Sequence, residues 1–563
     1  MKTTPAIRKT LDSHPKRGKR EWIFAAAVAL FLGAAGSLAV VMTGCGGSGP
    51  GNMPPPPPVI AAVAALNMAE VDNVVHAAVN SVNVDMVVAV TDRAGFVLGV
   101  FRTANAPTMA TGNFGQMQNA NDVAVALART AAFFSNDQAP LSSRTVRFIS
   151  GVHFPPGVMN LPNADLYGIE NTNRGCTLVP GVPFTSGVPP ATALSGVIGS
   201  GLGILTGKAD MFDSDPNAVN PGGVPIFYQS VVIGGVGVVT TAADMDVAEF
   251  AAFSGAQAST VGRPAGSQAT FEPFPLPLPN PGAVFIGGIA LPLVNTTTRP
   301  ASVSAGPVAG AAGSYLMGFG PKDSQGQPPE GDLITPVAGP QGGLTAAEVT
   351  QILDQAEATA NTTRAAIRLP PGEKARMVIA VSDLDGTLIG LRRMVDSTIF
   401  SIDVAASKAR NMTYFNGSMR TAGDMTGVPM GTAVTNRTIS FGAQPFFPPG
   451  IDGSDPAPQF LTPGPFFNLF VNDLNNPCSQ GFQPKNMAAF QSGIVFFPGS
   501  TGIFKGSTLV GGLGVSGDGV DQDDYVTNGG INGFAAPDNI RADQIFIRGV
   551  RLPYMKFPRN PTD

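Results

Sequence analysis

Asp383-Leu384-Asp385-Gly386-Thr387 follows directly on the apolar run Met377–Val381. Two carboxylates placed this way after a strand match the first motif of phosphatase-type hydrolases, with Asp383 as nucleophile and Asp385 as general acid. Gly517-Asp518-Gly519-Val520-Asp521 would pass for the later metal-binding acidic motif of such an enzyme. With Asp523 and Asp524 the same stretch offers oxygens to calcium, which takes six to eight. Both segments have plainer readings. Asp-x-Asp-Gly is ordinary turn chemistry, and the later acids do not follow an EF-hand spacing, so solvated acids opening a helix account for them. The remaining chemistry-bearing residues are few: His14, His76 and His153, Cys45, Cys176 and Cys478, and the run Met412-Thr413-Tyr414. No CxxC or CxxCH occurs, which argues against a structural zinc site and covalent c-type haem.

These residues sit on a chain of 563 with an internal repeat. Asp85–Val158 and Arg376–Ile451 carry matched blocks in the same order, and a repeat this long makes each copy a domain rather than a solenoid unit. Each copy opens on a capped helix. Asn67 precedes Glu70 at capping-box spacing, and Leu344 and Val349 around Thr345 and Glu348 suit a hydrophobic staple. Hairpins follow, Met86–Val90 with Phe96–Phe101 and Met377–Val381 with Thr387–Leu391, turning on Asp and Gly. Next come helices at Asp122–Phe134 and Asp403–Phe415, with Asp122 and Asp403 expected as N-caps. Strands are expected at Arg144–Ser150 and Arg437–Phe441. A second hairpin is expected from Gly223–Tyr228 with Val231–Val239, and from Gly493–Phe497 with Leu509–Gly517, and then a closing helix. Hairpins with helices between them predict an antiparallel sheet with packed helices, an α+β fold.

The predicted organisation is 1–44 signal peptide, 45–59 Gly/Pro tether, 60–295 first repeat, 296–343 linker, 344–555 second repeat and 556–563 tail. Lys16, Arg17, Lys19 and Arg20 precede the apolar run Trp22–Val41 and then Met42-Thr43-Gly44-Cys45. This resembles a bacterial lipoprotein signal, with Cys45 the lipidated residue. Because the run reaches the ~20 residues that cross a bilayer, an uncleaved anchor is the alternative. Either way the expectation is an exported, membrane-anchored protein of the cell envelope, on the periplasmic or outer-surface side. Charged residues make up 13% of the chain and the net charge is −5, so no basic field exists to attract nucleic acid.

The combination of apolar strand, Asp-x-x-Gly, return strand with Arg, Ser-x-Asp-x-Ala-x-x-Lys-Ala helix and final Gly-Gly-x-Gly-Val-Ser-Gly…Gln-Asp resembles the GlcG/HbpS-like family, which includes the C-terminal domain of PduO-type proteins. The second repeat carries the pattern through Asp383, Gly386, Arg392, Arg393, Ser401, Asp403, Lys408, Ala409, Gly511, Gly512, Gly514, Ser516, Gly517, Gln522 and Asp523. The first repeat is diverged, with Leu127 in place of Lys408. The resemblance implies two tandem profilin-like domains, an intramolecular pseudo-dimer, a tendency to form homo-oligomers, and haem binding in many members.

The expected function is thus an exported protein that binds haem or a related tetrapyrrole, in haem handling or redox sensing, and not an enzyme. Candidate haem ligands are His76, His153, Met412, Thr413 and Tyr414. The plainer reading of Met412 and Tyr414 is core packing on an apolar helix. Cys176 and Cys478 occupy similar positions in the two repeats and are a candidate disulfide in an oxidising compartment, or else two separate thiols. The alternatives are a ligand-free interaction module of the same fold and a hydrolase using Asp383.

Overall fold

The computed structural model describes residues 65–146, 167–176, 191–206, 220–275, 283–286, 289–292, 298–308, 313–445, 447–448, 462–479 and 492–562. All belong to one compact unit beginning at Ile60. The expected signal segment, tether, Cys45, His14 and His153 lie outside the described residues.

In chain order the elements are α1 (Met68–Ser81), β1 (Met86–Asp92), β2 (Val97–Arg102), β3 (Met109–Thr111), β4 (Met117–Asn119), α2 (Ala120–Phe134), β5 (Gly223–Tyr228), β6 (Val231–Thr240), α3 (Asp246–Gly255), β7 (Ala283–Ile286), β8 (Ile289–Pro292), β9 (Ser314–Tyr315) and β10 (Gly331–Ile334). They continue as α4 (Ala346–Ala360), β11 (Val378–Ser382), β12 (Leu388–Arg393), α5 (Phe400–Asn416), α6 (Asn436–Ala443), α7 (Phe467–Asn475), β13 (Ser500–Lys505), β14 (Thr508–Ser516), α8 (Val520–Gly530), β15 (Phe546–Ile547) and β16 (Val550–Arg551).

Two five-stranded sheets have the same order, β5-β6-β1-β2-β9 and β13-β14-β11-β12-β10, and every pairing in them is antiparallel. The fold is therefore α+β. Even the irregularities recur: the first hairpin bulges at Val90/Thr91 and at Val381/Ser382, the second at Ile226/Phe227 and at Ile503/Phe504.

Strand alternation explains the layers, because successive side chains point to opposite faces. Met86, Val88 and Val90 pack under α1 and α3, whereas Val87 and Ala89 face α2. In the second sheet Ile379 and Val381 pack under α4 and α8, and Val378 and Ala380 face α5. Helix α2 lies close to β6 because Gly237 carries no Cβ; one placed there would fall 2.0 Å from the Ala124 carbonyl.

Capping boxes close the N-termini of α1 (Asn67 with Glu70) and α4 (Thr345 with Glu348). Other local expectations are corrected. Asp122 and Asp403 lie within the first turns of α2 and α5, whose N-caps are Asn119 and Ile399. Arg437–Phe441 is part of helix α6, opened by a box between Thr435 and Thr438, and Arg144 and Thr145 lie in a turn. The strand that pairs with β14 begins at Ser500, not Gly493. Gly499 sets that start as Gly222 does for β5: both have φ near the left-handed side (112° and 120°), and a Cβ at either would fall 2.5 Å from a carbonyl of the neighbouring strand. The apolar run Ile494–Phe497 is buried without forming a strand, in contact with α5 and α7 through the cores they line.

The segment 296–343 adds an edge strand to each sheet. Tyr315 of β9 stands opposite Phe101, and Asp332 of β10 opposite Arg392. The two repeats also share one hydrophobic core, which runs from Phe133, Phe134 and Ile169 to Ile399, Phe400 and Val404, with Phe134 and Phe400 stacked at 3.9 Å between centroids.

Candidate functional site

The turn acids are structural. Asp383 is fully buried, and its Oδ2 accepts from the Gln341 backbone N–H at 2.6 Å; Asp385 Oδ1 accepts from Thr387 N at 2.9 Å. Asp92 does the same in the first repeat, accepting from Gln325 N at 2.9 Å and from Phe96 N at 2.9 Å. Each aspartate thus ties the inter-repeat segment to its hairpin turn. Antiparallel neighbours flank β11 on both sides, so Asp383 ends a hairpin strand rather than a parallel strand with a crossover.

The later acids are not solvated. Asp518, Asp523 and Asp524 are buried, and each has a basic partner. Asp518 pairs with Arg368, Asp523 with Lys408 (2.9 Å), and Asp524 with Arg437, which also holds Asp521 at 2.7 Å. Lys408 donates to the Val515 carbonyl at 2.7 Å and faces the Phe497 ring at 4.9 Å. Burial pushes the Asp523 carboxyl up to about 7 against the opposing pull of Lys408, and pushes the Lys408 ammonium down. Pairing offsets part of their desolvation, as buried charges require. Among the described residues no group of three His, Cys, Asp or Glu is arranged to hold a metal ion. The sequence misses this network because the partners lie about 84 to 150 residues apart and only the packing brings them together.

The sulfurs of Cys176 and Cys478 are 2.05 Å apart, a disulfide joining the repeats. Beside it Arg174 pairs with buried Asp473 (2.6 Å), Asn171 Nδ2 donates to the same carboxylate (3.1 Å), and Asn173 N donates to Asp403 Oδ2 (2.8 Å). The segment 167–176 of the first repeat is therefore docked onto α5 and α7 of the second.

The candidate haem ligands are not gathered in one place. Met412, Thr413 and Tyr414 are buried on α5. Met412 and Tyr414 pack in an aromatic core with Phe415, Phe466, Phe470 and Phe496. Tyr414 Oη donates to Asp424 Oδ2 (2.8 Å), Thr413 Oγ1 donates to the Arg410 carbonyl (3.0 Å), and the Met412 sulfur accepts from Asn416 Nδ2 (3.7 Å). Filled surroundings and engaged donor atoms leave these three no open ligand position, so they do not fit an iron.

His76 differs. It sits on α1 of the first repeat with its side chain 50% exposed, its Nε2 3.4 Å from Asp72 Oδ1 and its ring edge-on to Phe101 at 5.7 Å. An exposed imidazole backed by a carboxylate has the donor chemistry for haem iron. The Asp72/His76 pairing is legible as an i,i+4 spacing on a helix. A crevice lined by Asp122, Arg129, Phe133, Asn173, Thr192 and Ile204 has room for roughly one water molecule and is far too small for a porphyrin.

Among the described residues no helix is long and apolar enough to cross a membrane. No curated protein matches the chain. Similar solved structures include two that share part of the chain. One is Klebsiella pneumoniae protein ORFY, described under DUF336, at 18% identity over 33% of this chain and 88% of that chain with a TM-score of 0.20. The other is a PduOC–haem complex, at 20% identity over 33% of this chain and 92% of that chain with a TM-score of 0.21. The family model described as "Haem degrading protein HbpS-like" matches residues 344–532. That span runs from Leu344, just before α4, to Asn532, just past α8. Over these residues, the second repeat matches the HbpS-like family model.

Proposed function

We propose that this chain binds haem or a related tetrapyrrole, as an exported envelope protein anchored through lipidated Cys45. The HbpS-like match over 344–532 is the observation that carries the binding half of this reading. The disulfide between Cys176 and Cys478 supports the location, because such bonds persist in oxidising compartments. Of the ligand candidates within the described residues, the half-exposed side chain of His76 supports its assignment as the ligand to an external haem. Binding without turnover is the reading proposed here, with haem handling or redox sensing as its context.

A haemin titration of the detergent-solubilised full chain, followed in the Soret region, tests it. A saturable band is expected, stable when a reductant is added. Progressive bleaching under reductant would replace binding by haem breakdown, the activity in the family's description. A broad, unsaturating rise would leave the second reading, a ligand-free interaction module, which the filled core around Met412 and Tyr414 favours. Radiolabelled lipid incorporation that survives Cys45→Ala would overturn the anchor.

A further inference from the structure

Tyr315 belongs to the segment between the repeats, yet its side chain reaches a helix of the first repeat. Strand β9 pairs with the edge of β2 and sets Tyr315 opposite Phe101, and the two rings meet edge to face at 5.2 Å. From there the Tyr315 hydroxyl donates to Asp72 Oδ1 at 2.7 Å. That same oxygen lies 3.4 Å from His76 Nε2, and the His76 ring meets Phe101 in a T-shaped contact at 5.7 Å. Three elements therefore converge on one imidazole: α1 supplies Asp72 and His76, β2 supplies Phe101, and β9 supplies Tyr315.

We propose that Asp72 and Tyr315 are positioning residues for His76 as an iron ligand, so that the haem of this chain sits on the first repeat and not on the repeat that carries the family match. The inference rests on the haem-binding reading above. The chemistry is that of a carboxylate behind a metal-bound histidine. A carboxylate at one ring nitrogen orients the imidazole and leaves the other nitrogen for the metal. Tyr315 acts one step further out. Its hydroxyl holds Asp72 Oδ1 in place, and the Phe101 edge limits rotation of the ring. The second repeat contains no histidine, which fits a single haem per chain.

The test is a haemin titration of the full chain as wild type, His76→Gly, Asp72→Asn, Asp72→Glu and Tyr315→Phe, reading Soret position, affinity and the midpoint potential of the bound haem. In the wild type a saturable band is expected at one haem per chain. His76→Gly should lose the nitrogen-ligand spectrum and regain it on adding free imidazole. Asp72→Asn and Tyr315→Phe should bind about tenfold or more weakly with a shifted potential, and Asp72→Glu should recover most of the loss. If the wild type shows no saturable band, the haem reading falls and this inference with it. If His76→Gly keeps the wild-type spectrum, haem binding stands and the ligand lies elsewhere. If His76→Gly loses the spectrum while Asp72→Asn and Tyr315→Phe match the wild type in affinity and potential, the positioning roles alone are overturned.

Discussion

Arg129 and Arg410 make the same hydrogen bond in the two repeats: Nε of Arg129 donates to the Gly95 carbonyl at 2.9 Å, and Nε of Arg410 to the Gly386 carbonyl at 3.0 Å. Each guanidinium is buried and locks its central helix to the Asp-x-x-Gly turn of its first hairpin. Burial pushes both down to about 10 against the opposing pull of nearby aspartates, which leaves them charged at neutral pH. Truncating either to Ala orphans a buried carbonyl, a loss of about 1–3 kcal/mol, with lost packing in addition. Urea unfolding of Arg410→Ala and Arg129→Ala should show decreases of comparable size. A wild-type midpoint for either would mean the contact does not stabilise the fold.

The Lys408–Asp523 pair should behave as a buried ion pair rather than a surface one. Lys408→Met leaves Asp523 without its cation and should cost about 3–5 kcal/mol at pH 8. Lys408→Met with Asp523→Leu should recover much of that loss, because two apolar side chains no longer need pairing. The coupling is read from the double-mutant cycle in chemical denaturation, and additive losses would refute it.

The Cys176–Cys478 disulfide closes a loop across a sequence separation of 302 residues. Its removal by Cys478→Ser, or by dithiothreitol under native conditions, should lower stability by about 2–5 kcal/mol. The Arg174–Asp473 pair and the stacking of Phe134 on Phe400 remain, so the repeats should stay docked. Equal unfolding midpoints with and without reductant would show that the link adds nothing to stability.

Stability should fall as pH rises. Burial pushes the carboxyls of Asp92, Asp137 and Asp403 up to about 6, and that of Asp523 up to about 7. Unfolded aspartates titrate near about 3.9. Between roughly pH 4 and 7 the folded chain therefore holds more protons than the unfolded chain, and its stability declines with pH. The contribution is complete below the unfolded value and is lost as pH passes 6 to 7. Urea midpoints at pH 5 should exceed those at pH 8, and Asp403→Asn should flatten part of the slope. A flat or rising profile would contradict the burial of these groups.

Local signals carried a large part of the fold. Asn67 with Glu70 and Thr345 with Glu348 close their boxes as the spacing predicts, because a capping box involves only neighbours in sequence. Asp92 with Gly95 and Asp383 with Gly386 make the hairpin turns for the same reason: Gly95 and Gly386 take left-handed φ of 89° and 87°. Alternating residues in β1 and β11 then set which face meets which helix. The i,i+4 relation of Asp72 and His76 is equally local.

The misread elements are those whose partners are distant. Arg437-Thr-Ile-Ser-Phe441 has the β-branched pattern of a strand, yet it coils into α6, where Arg437 reaches Asp521 and Asp524. Asp518, Asp523 and Asp524 look like a solvated run, yet they are buried because Arg368, Lys408 and Arg437 arrive from other elements. Asn173 takes a left-handed backbone (φ 56°) so that its N–H meets Asp403 in the other repeat. By itself the sequence determined the repeat, the capping boxes of α1 and α4, and the first hairpin of each repeat with the facing of its strands, since each of these is decided by interactions within a few residues. Only the tertiary structure decided that the inter-repeat segment completes both sheets, that the acids are paired and that Tyr315 stands behind Asp72 and His76, because burial and pairing across hundreds of residues depend on packing that no local spacing encodes.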